Sequence, residues 1–81
     1  MKMQAYQQTV LDILVFSTNV NDSDQVTRVK PLLSAVPEIS GWNFDLEDCD
    51  KILRIEACAI SPRYIESLLQ IAGFDCRDLE Y

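Results

Sequence analysis

The sequence predicts an α+β fold in which two helices cover one face of a four-stranded antiparallel sheet. Three observations predict it: apolar segments typical of strands, amphipathic segments with helix-capping residues, and the order in which these segments follow one another. A chain of 81 residues forms one domain, because a single hydrophobic core accounts for this size. We assign residues 1–9 to a polar N-terminal leader and residues 10–81 to the domain.

The first strand and the first helix are predicted in the N-terminal half. Residues 10–18, V-L-D-I-L-V-F-S-T, are apolar and often β-branched, which is typical of a strand buried on much of both faces. Asn21 or Asp22 caps the following helix, whose apolar residues recur at helical spacing. Pro31 falls inside this helix and is expected to kink it, and Pro37 ends it.

A β-hairpin is predicted next. Apolar and polar side chains alternate over residues 39–46 and again over residues 51–58, as in half-buried strands. The acidic segment 47–50 between them forms the turn, so the two strands pair antiparallel. Trp42 alternates with Phe44 on one face, which favours a core position over an exposed binding position.

The C-terminal part predicts a second helix and a closing strand. Ser61 caps the helix and Pro62 occupies its first turn, while Gly73 ends it in a left-handed conformation. Residues 74–81 form a short last strand. The complete order is that of a ferredoxin-like βαββαβ sandwich, whose second sheet face is left open.

The alternation of the first strand predicts which side chains lie on that open face. Leu14, Phe16 and Thr18 are expected to face the helices. Ile13 and Val15 then lie on the open face, where an apolar patch favours a protein partner or a homodimer.

Composition argues against several classes of function. The net charge of −6 disfavours nucleic acid and anionic membranes, which bind cationic surfaces. No apolar segment approaches the ~20 residues that span a bilayer. The chain has no histidine, and its serines lie in no nucleophile motif, so we expect neither an enzyme nor a bound cofactor.

The cysteines indicate a reducing compartment. Cys49, Cys58 and Cys76 are an odd set with wide spacing and no C-x-x-C. The N-terminus lacks an apolar export segment, and we therefore expect a cytoplasmic protein. Cys49 lies between two aspartates, which disfavour its thiolate.

A specific motif occupies the junction of the first strand and the first helix. Residues 18–26 read T-N-V-N-D-S-D-Q-V, and V-T-R-V-K-P-L-L follows closely. With I-S-G-W-N-F-D-L, D-K-I-L-R-I-E and I-A-G-F further along, the chain resembles the heavy-metal-associated domain family over about residues 11–78. That family includes copper chaperones and soluble domains of metal-transporting ATPases, and it carries T-N-[IV]-N-C-x-x-C-V at this junction.

The resemblance implies a metal loop without its ligands. In the family, two cysteines bind copper(I) or zinc as thiolates, and they correspond here to Asp22 and Gln25. The buried methionine or isoleucine of the family corresponds to Val20, and a side chain after the second helix corresponds to Phe74. Carboxylate and amide oxygens do not hold copper(I) as two thiolates do, so we expect the soft-metal site to be lost.

This interpretation makes the chain a non-enzymatic interaction or regulatory module. Its partner is another protein, and a metal-trafficking relative is one natural choice. The residues expected to contact partners are those of the former metal loop and the open face: Asn19, Asn21, Asp22, Ser23, Asp24, Gln25, Phe74, Ile13 and Val15.

Two alternatives remain open at this stage. Asn21, Asp22 and Asp24 are weak candidates for a hard cation, or a partner supplies ligands, which would preserve a metal-binding or metal-trafficking role. Helix capping explains these three residues without a metal. The other alternative is an amino-acid-binding regulatory domain, a class that shares this strand order.

Overall fold

The computed structural model describes residues 11–79 of the chain. Its elements follow in the predicted order: β1 (Asp12–Thr18), α1 (Ser23–Ser34), β2 (Ile39–Asp45), β3 (Ile52–Ala57), α2 (Pro62–Ile71) and β4 (Cys76–Asp78). The four strands form one antiparallel sheet, so the ferredoxin-like fold is confirmed. The predicted leader, residues 1–9, lies outside the described residues.

The strands are arranged in the order β2-β3-β1-β4, with β2 and β4 at the edges. On β1, Leu14 lies opposite Ile55 of β3, and Phe16 lies opposite Asp78 of β4. The two central strands are therefore the first strand of the chain and the second strand of the hairpin. One face of β1 packs in the core through Phe16, whereas Ile13 on the other face is exposed, so the predicted burial of much of both faces is wrong for Ile13.

Both helices begin at the predicted capping residues. The Asp22 side chain accepts a hydrogen bond from the Gln25 amide at the start of α1, and the Ser61 hydroxyl accepts one from the Tyr64 amide at the start of α2. Helix α1 continues through Pro31, and the kink predicted at this residue stays a prediction. After α2, Gly73 adopts the predicted left-handed conformation with φ of 92°.

The core lies between the helices and one face of the sheet. Phe16 from β1 is fully buried there, together with residues of both helices, and Trp42 packs partly buried against it, as predicted. The Trp42 and Phe44 rings meet edge to face with centroids 6.0 Å apart. The buried members are Phe16, Val20, Val29, Leu33, Leu53, Ile55, Ala57, Ile65, Leu69, Phe74 and Cys76.

The last strand is shorter than predicted. It begins at Cys76 because the two preceding amides serve other contacts: the Phe74 N–H donates to the Leu69 carbonyl, and the Asp75 N–H donates to the Asn19 side chain. The prediction for residues 80–81 lies outside the described residues. Among residues 11–79, no helix is long and apolar enough to span a bilayer.

Candidate functional site

Three connections meet at one end of the sheet, and we call them the loop end. They are residues 18–25, which end β1 and begin α1, residues 46–51 between β2 and β3, and residues 72–75 between α2 and β4. The chain order places them together, because β1 ends where α1 and β3 begin and where α2 ends. The loop end contains every predicted site residue except Ile13 and Val15.

Thr18 joins the first connection to the second. Its N–H donates to the Asp50 carbonyl at 3.0 Å, and its hydroxyl donates to the Lys51 carbonyl at 2.7 Å. The same hydroxyl accepts the Val20 N–H at 3.2 Å. Thr18 therefore hydrogen-bonds both to the β2–β3 connection and to its own loop at the point where β1 ends.

Asn19 joins the first connection to the third. Its Oδ1 accepts the Asp75 N–H at 2.9 Å, and its Nδ2 donates to the Asp75 carboxylate at 3.4 Å. The two residues are far apart in sequence, so this pair fixes the position of the α2–β4 connection beside the start of α1. Thr18 and Asn19 thus hold the three connections as one surface.

Asp22 and Gln25 make hydrogen bonds to the backbone at the start of α1. Asp22 Oδ1 accepts the Gln25 N–H at 2.9 Å, and Gln25 Oε1 accepts the Asn21 N–H at 2.6 Å. The first bond satisfies one of the amides that a helix start leaves free, and the second satisfies the amide of Asn21, the residue before the N-cap. One oxygen of each side chain is therefore used in capping.

Val20 and Phe74 are the two buried residues of the loop end that pack into the core. Val20 is completely buried, in agreement with its correspondence to a buried family position. Phe74 is only 6% exposed, and the Arg28 guanidinium lies 5.1 Å from the centre of its ring. Its ring packs in the core and is covered by Arg28, which sequence reasoning had not connected with the loop. A contact between Phe74 and a partner stays a prediction.

The surface of the loop end is acidic. Two cations near it are already engaged, because Arg28 stacks on Phe74 and Lys51 Nζ donates to the Leu46 carbonyl at 2.7 Å. Lys51 also has a positive φ of 49°, in the left-handed region, where it closes the turn. The exposed acidic side chains of this surface are Asp22, Asp24, Glu47, Asp48, Asp50 and Asp75.

Asp48, Cys49 and Asp50 form a further group that the sequence analysis treated only as a turn. Their potential ligand atoms lie within 4.8 Å of one another, and all three side chains are exposed. Asp48 Oδ1 accepts the Asp50 N–H at 2.8 Å, which is the ordinary capping contact of an aspartate in a turn. The hydrogen bond accounts for Asp48 without a metal.

The other two cysteines have different surroundings. Cys58 is half-buried after β3, and its N–H donates to the Glu38 carbonyl. Cys76 is buried under α2, and this burial, with smaller contributions from the Glu66 and Asp78 charges, raises the pKa of its thiol from 9.0 to about 12. Cys76 therefore remains a neutral thiol at physiological pH.

The open sheet face has the side chains that strand parity predicted. Ile13 lies opposite Glu56 and Val15 lies opposite Arg54. Ile13 is 58% exposed, whereas Val15 is half-buried. These two residues lie on the sheet surface beyond the loop end, so the predicted contact residues form two separate surfaces.

Comparison with solved structures agrees with this architecture. The copper(I)-loaded first domain of the human copper chaperone for SOD1 superposes with a TM-score of 0.71 and 19% identity, over 85% of this chain and 93% of that one. Oxidized MerP from Ralstonia metallidurans CH34 gives 0.74 and 15%, over 88% and 100%. The Zn(II) form of the N-terminal domain of ZntA gives 0.71 and 16%, over 84% and 92%.

These similarities define the fold of the chain as that of heavy-metal-associated domains. The sequence itself matches no protein-family model and no curated protein sequence. The fold of these solved structures agrees with the resemblance that the motifs indicated.

Proposed function

We propose that this domain binds another protein through its loop end and does not carry copper(I) or zinc between Asp22 and Gln25. The observation that supports the proposal is the pair of hydrogen bonds by which these side chains cap α1. Binding a metal between them would require those bonds to be exchanged for metal–oxygen contacts. Copper(I) gains little from that exchange, because it prefers sulfur ligands.

The rigid and charged surface supports a role in recognition. Thr18 and Asn19 hold three connections in place, so few loop residues need to be ordered when a partner binds. The exposed aspartates and glutamates favour a partner with a basic surface. We propose a non-enzymatic, cytoplasmic module whose contact residues are Asn19, Asn21, Asp22, Ser23, Asp24 and Gln25.

Metal titration tests the first half of the proposal. Copper(I), zinc and magnesium are added to the wild-type chain and to Asp22→Ala, and binding is followed by calorimetry and native mass spectrometry. We expect no stoichiometric complex that depends on Asp22. A Cys49→Ser variant is the control, because it removes the one thiol of the Asp48–Asp50 turn that could add to copper(I) or zinc binding.

A tight one-to-one complex that is lost in Asp22→Ala would contradict the proposal. It would favour the alternative of a surviving metal-binding role through Asp22 and Asp24.

Partner binding tests the second half. Proteins captured from the native host by the wild-type domain are identified, purified and titrated against labelled domain by NMR. We expect the amides of residues 19–25 to shift and the affinity to fall as salt is raised. The Asp24→Asn variant should bind more weakly, whereas Glu38→Gln, an exposed change away from the loop end, should not. Shifts confined to other surfaces would contradict the proposal.

The exposure of Ile13 favours a second surface for self-association. An exposed isoleucine beside Val15 offers apolar area that a second copy of the chain could bury. We propose a homodimer through the open face, tested by sedimentation of the wild-type chain against Ile13→Ser. A wild-type chain that stays monomeric at high concentration would exclude it.

A further inference from the structure

Strand β4 has an unusual hydrogen bond on its outer side. The strand contains only Cys76–Asp78 and lies at the edge of the sheet. The Leu79 N–H donates inward to the Val15 carbonyl at 2.9 Å. Because successive N–H groups of a strand point in opposite directions, the Asp78 N–H points outward, where an added strand would bind.

The outward donor is already occupied by a side chain. Glu66 Oε2 accepts the Asp78 N–H at 2.8 Å. Glu66 is placed there by α2, because it follows Ile65, which is fully buried in the core. The carboxylate thus takes the position that the carbonyl oxygen of a neighbouring strand would occupy.

We propose that Glu66 closes the β4 edge of the sheet against the addition of another strand. A free edge presents unpaired N–H and C=O groups, and proteins protect such edges with charges or by covering them. In a strand of three residues, one occupied donor removes a large part of the pairing capacity. Approach of a second strand would also bring its carbonyl oxygens towards the negative Glu66 side chain.

Glu66 also affects the neighbouring residue on the same edge. Its charge is one of the causes that keep the Cys76 thiol neutral, which agrees with its position close to Cys76 and Asp78, the two β4 residues whose N–H groups point outward. Glu66, Gln70, Asp75 and Cys76 line one shallow groove beside this edge. The lining is more polar than apolar, so it offers little apolar surface that would attract a strand to it.

The proposal is tested by changing Glu66 to Ala and to Gln. Alanine removes the acceptor and favours the helix, so α2 should remain intact. Glutamine keeps an acceptor oxygen without the charge. Glu38→Ala serves as the control for loss of a negative charge at an exposed position. Circular dichroism confirms that each variant is folded.

Amide hydrogen exchange is followed by NMR, and association is followed by sedimentation velocity over a range of concentrations. In Glu66→Ala we expect Asp78 to exchange about tenfold faster in the dilute protein, the factor implied by losing a charge-assisted hydrogen bond. At high concentration we expect new association and protection of the Cys76 amide. Glu66→Gln keeps the acceptor and loses the charge, so it should lie between the wild type and Glu66→Ala, whereas Glu38→Ala should match the wild type.

Two results would overturn the proposal. The first is an Asp78 amide that exchanges at the wild-type rate in Glu66→Ala. The second is faster exchange with no change in association at any concentration, which would make Glu66 only a tie between α2 and β4. Neither result bears on the loop end, so this test and that of the proposed function can fail independently.

Discussion

The loop between β1 and α1 contains two pairs of residues with different tasks. Thr18 and Asn19 bond to other connections, and they hold the loop end together. Asp22 and Gln25 bond within their own segment and cap the helix that follows. The first pair keeps the residues of the motif that the chain resembles, whereas the second pair differs from it.

Thr18 and Asn19 are therefore a framework pair that holds the loop end together, whereas Asp22 and Gln25 occupy the positions of the family's metal ligands. The bonds of Thr18 and Asn19 reach other parts of the fold, so their replacement would affect three connections at once. Asp22 and Gln25 act only on the first turn of α1. We infer that ligand residues at these two positions can be exchanged for capping residues while the fold is retained.

Restoring the thiolates is the strongest test of that inference. In the double variant Asp22→Cys and Gln25→Cys, two sulfur ligands stand at a helix start, which favours the thiolate form. We expect copper(I) affinity to rise by several orders of magnitude over the wild type. Competition with a coloured copper(I) chelator measures the gain.

The pair of single cysteine variants is the matched control, because one thiolate gives only part of the site. If the double variant folds and binds copper(I) no better than the single variants, the loop does not place positions 22 and 25 as the family loop does. The correspondence inferred from the motif would then be wrong.

A smaller effect, on stability, is expected when Thr18 of the framework pair is changed. Thr18→Val keeps the shape of the side chain but leaves the partly buried Lys51 carbonyl and Val20 N–H without their partner. We expect a loss of ~1–3 kcal/mol in the free energy of unfolding, measured in urea. Loss of NMR order in residues 46–51 should accompany it.

Thr27→Val is the control for this change. The Thr27 hydroxyl also donates to a carbonyl, that of Ser23, but on the exposed side of α1 where water replaces it. Equal losses in the two variants would show that Thr18 has no special role in joining the connections.

The element order and most boundaries could be predicted because local signals agree with the tertiary structure. Alternating apolar residues marked β2 and β3, and Ser61, Pro62 and Gly73 marked the ends of α2. The length of β4 could not be predicted, because its start depends on a hydrogen bond from Asp75 to Asn19, a residue distant in sequence. Such contacts leave no periodic pattern.

For the candidate site, the sequence indicated residues but not their contacts. The motif indicated Asp22 and Gln25, and capping was the expected task of Asp22. The return bond from Gln25 and the covering of Phe74 by Arg28 depend on side-chain positions that the sequence does not encode locally. The same holds for Glu66, whose bond to Asp78 joins a helix to a strand.

The smallest expected effect concerns the cap itself. Asp22→Ala removes the acceptor of the Gln25 N–H and should lower the free energy of unfolding by ~1 kcal/mol, the usual cost of losing an N-cap. Asp22→Asn keeps an acceptor oxygen and should lose much less, because capping needs the oxygen more than the charge. Urea unfolding of both variants measures the difference. If asparagine costs as much as alanine, the carboxylate charge at Asp22 matters for a reason other than capping. Asp22 would then act on more than the first turn of α1, contrary to the contrast with Thr18 and Asn19.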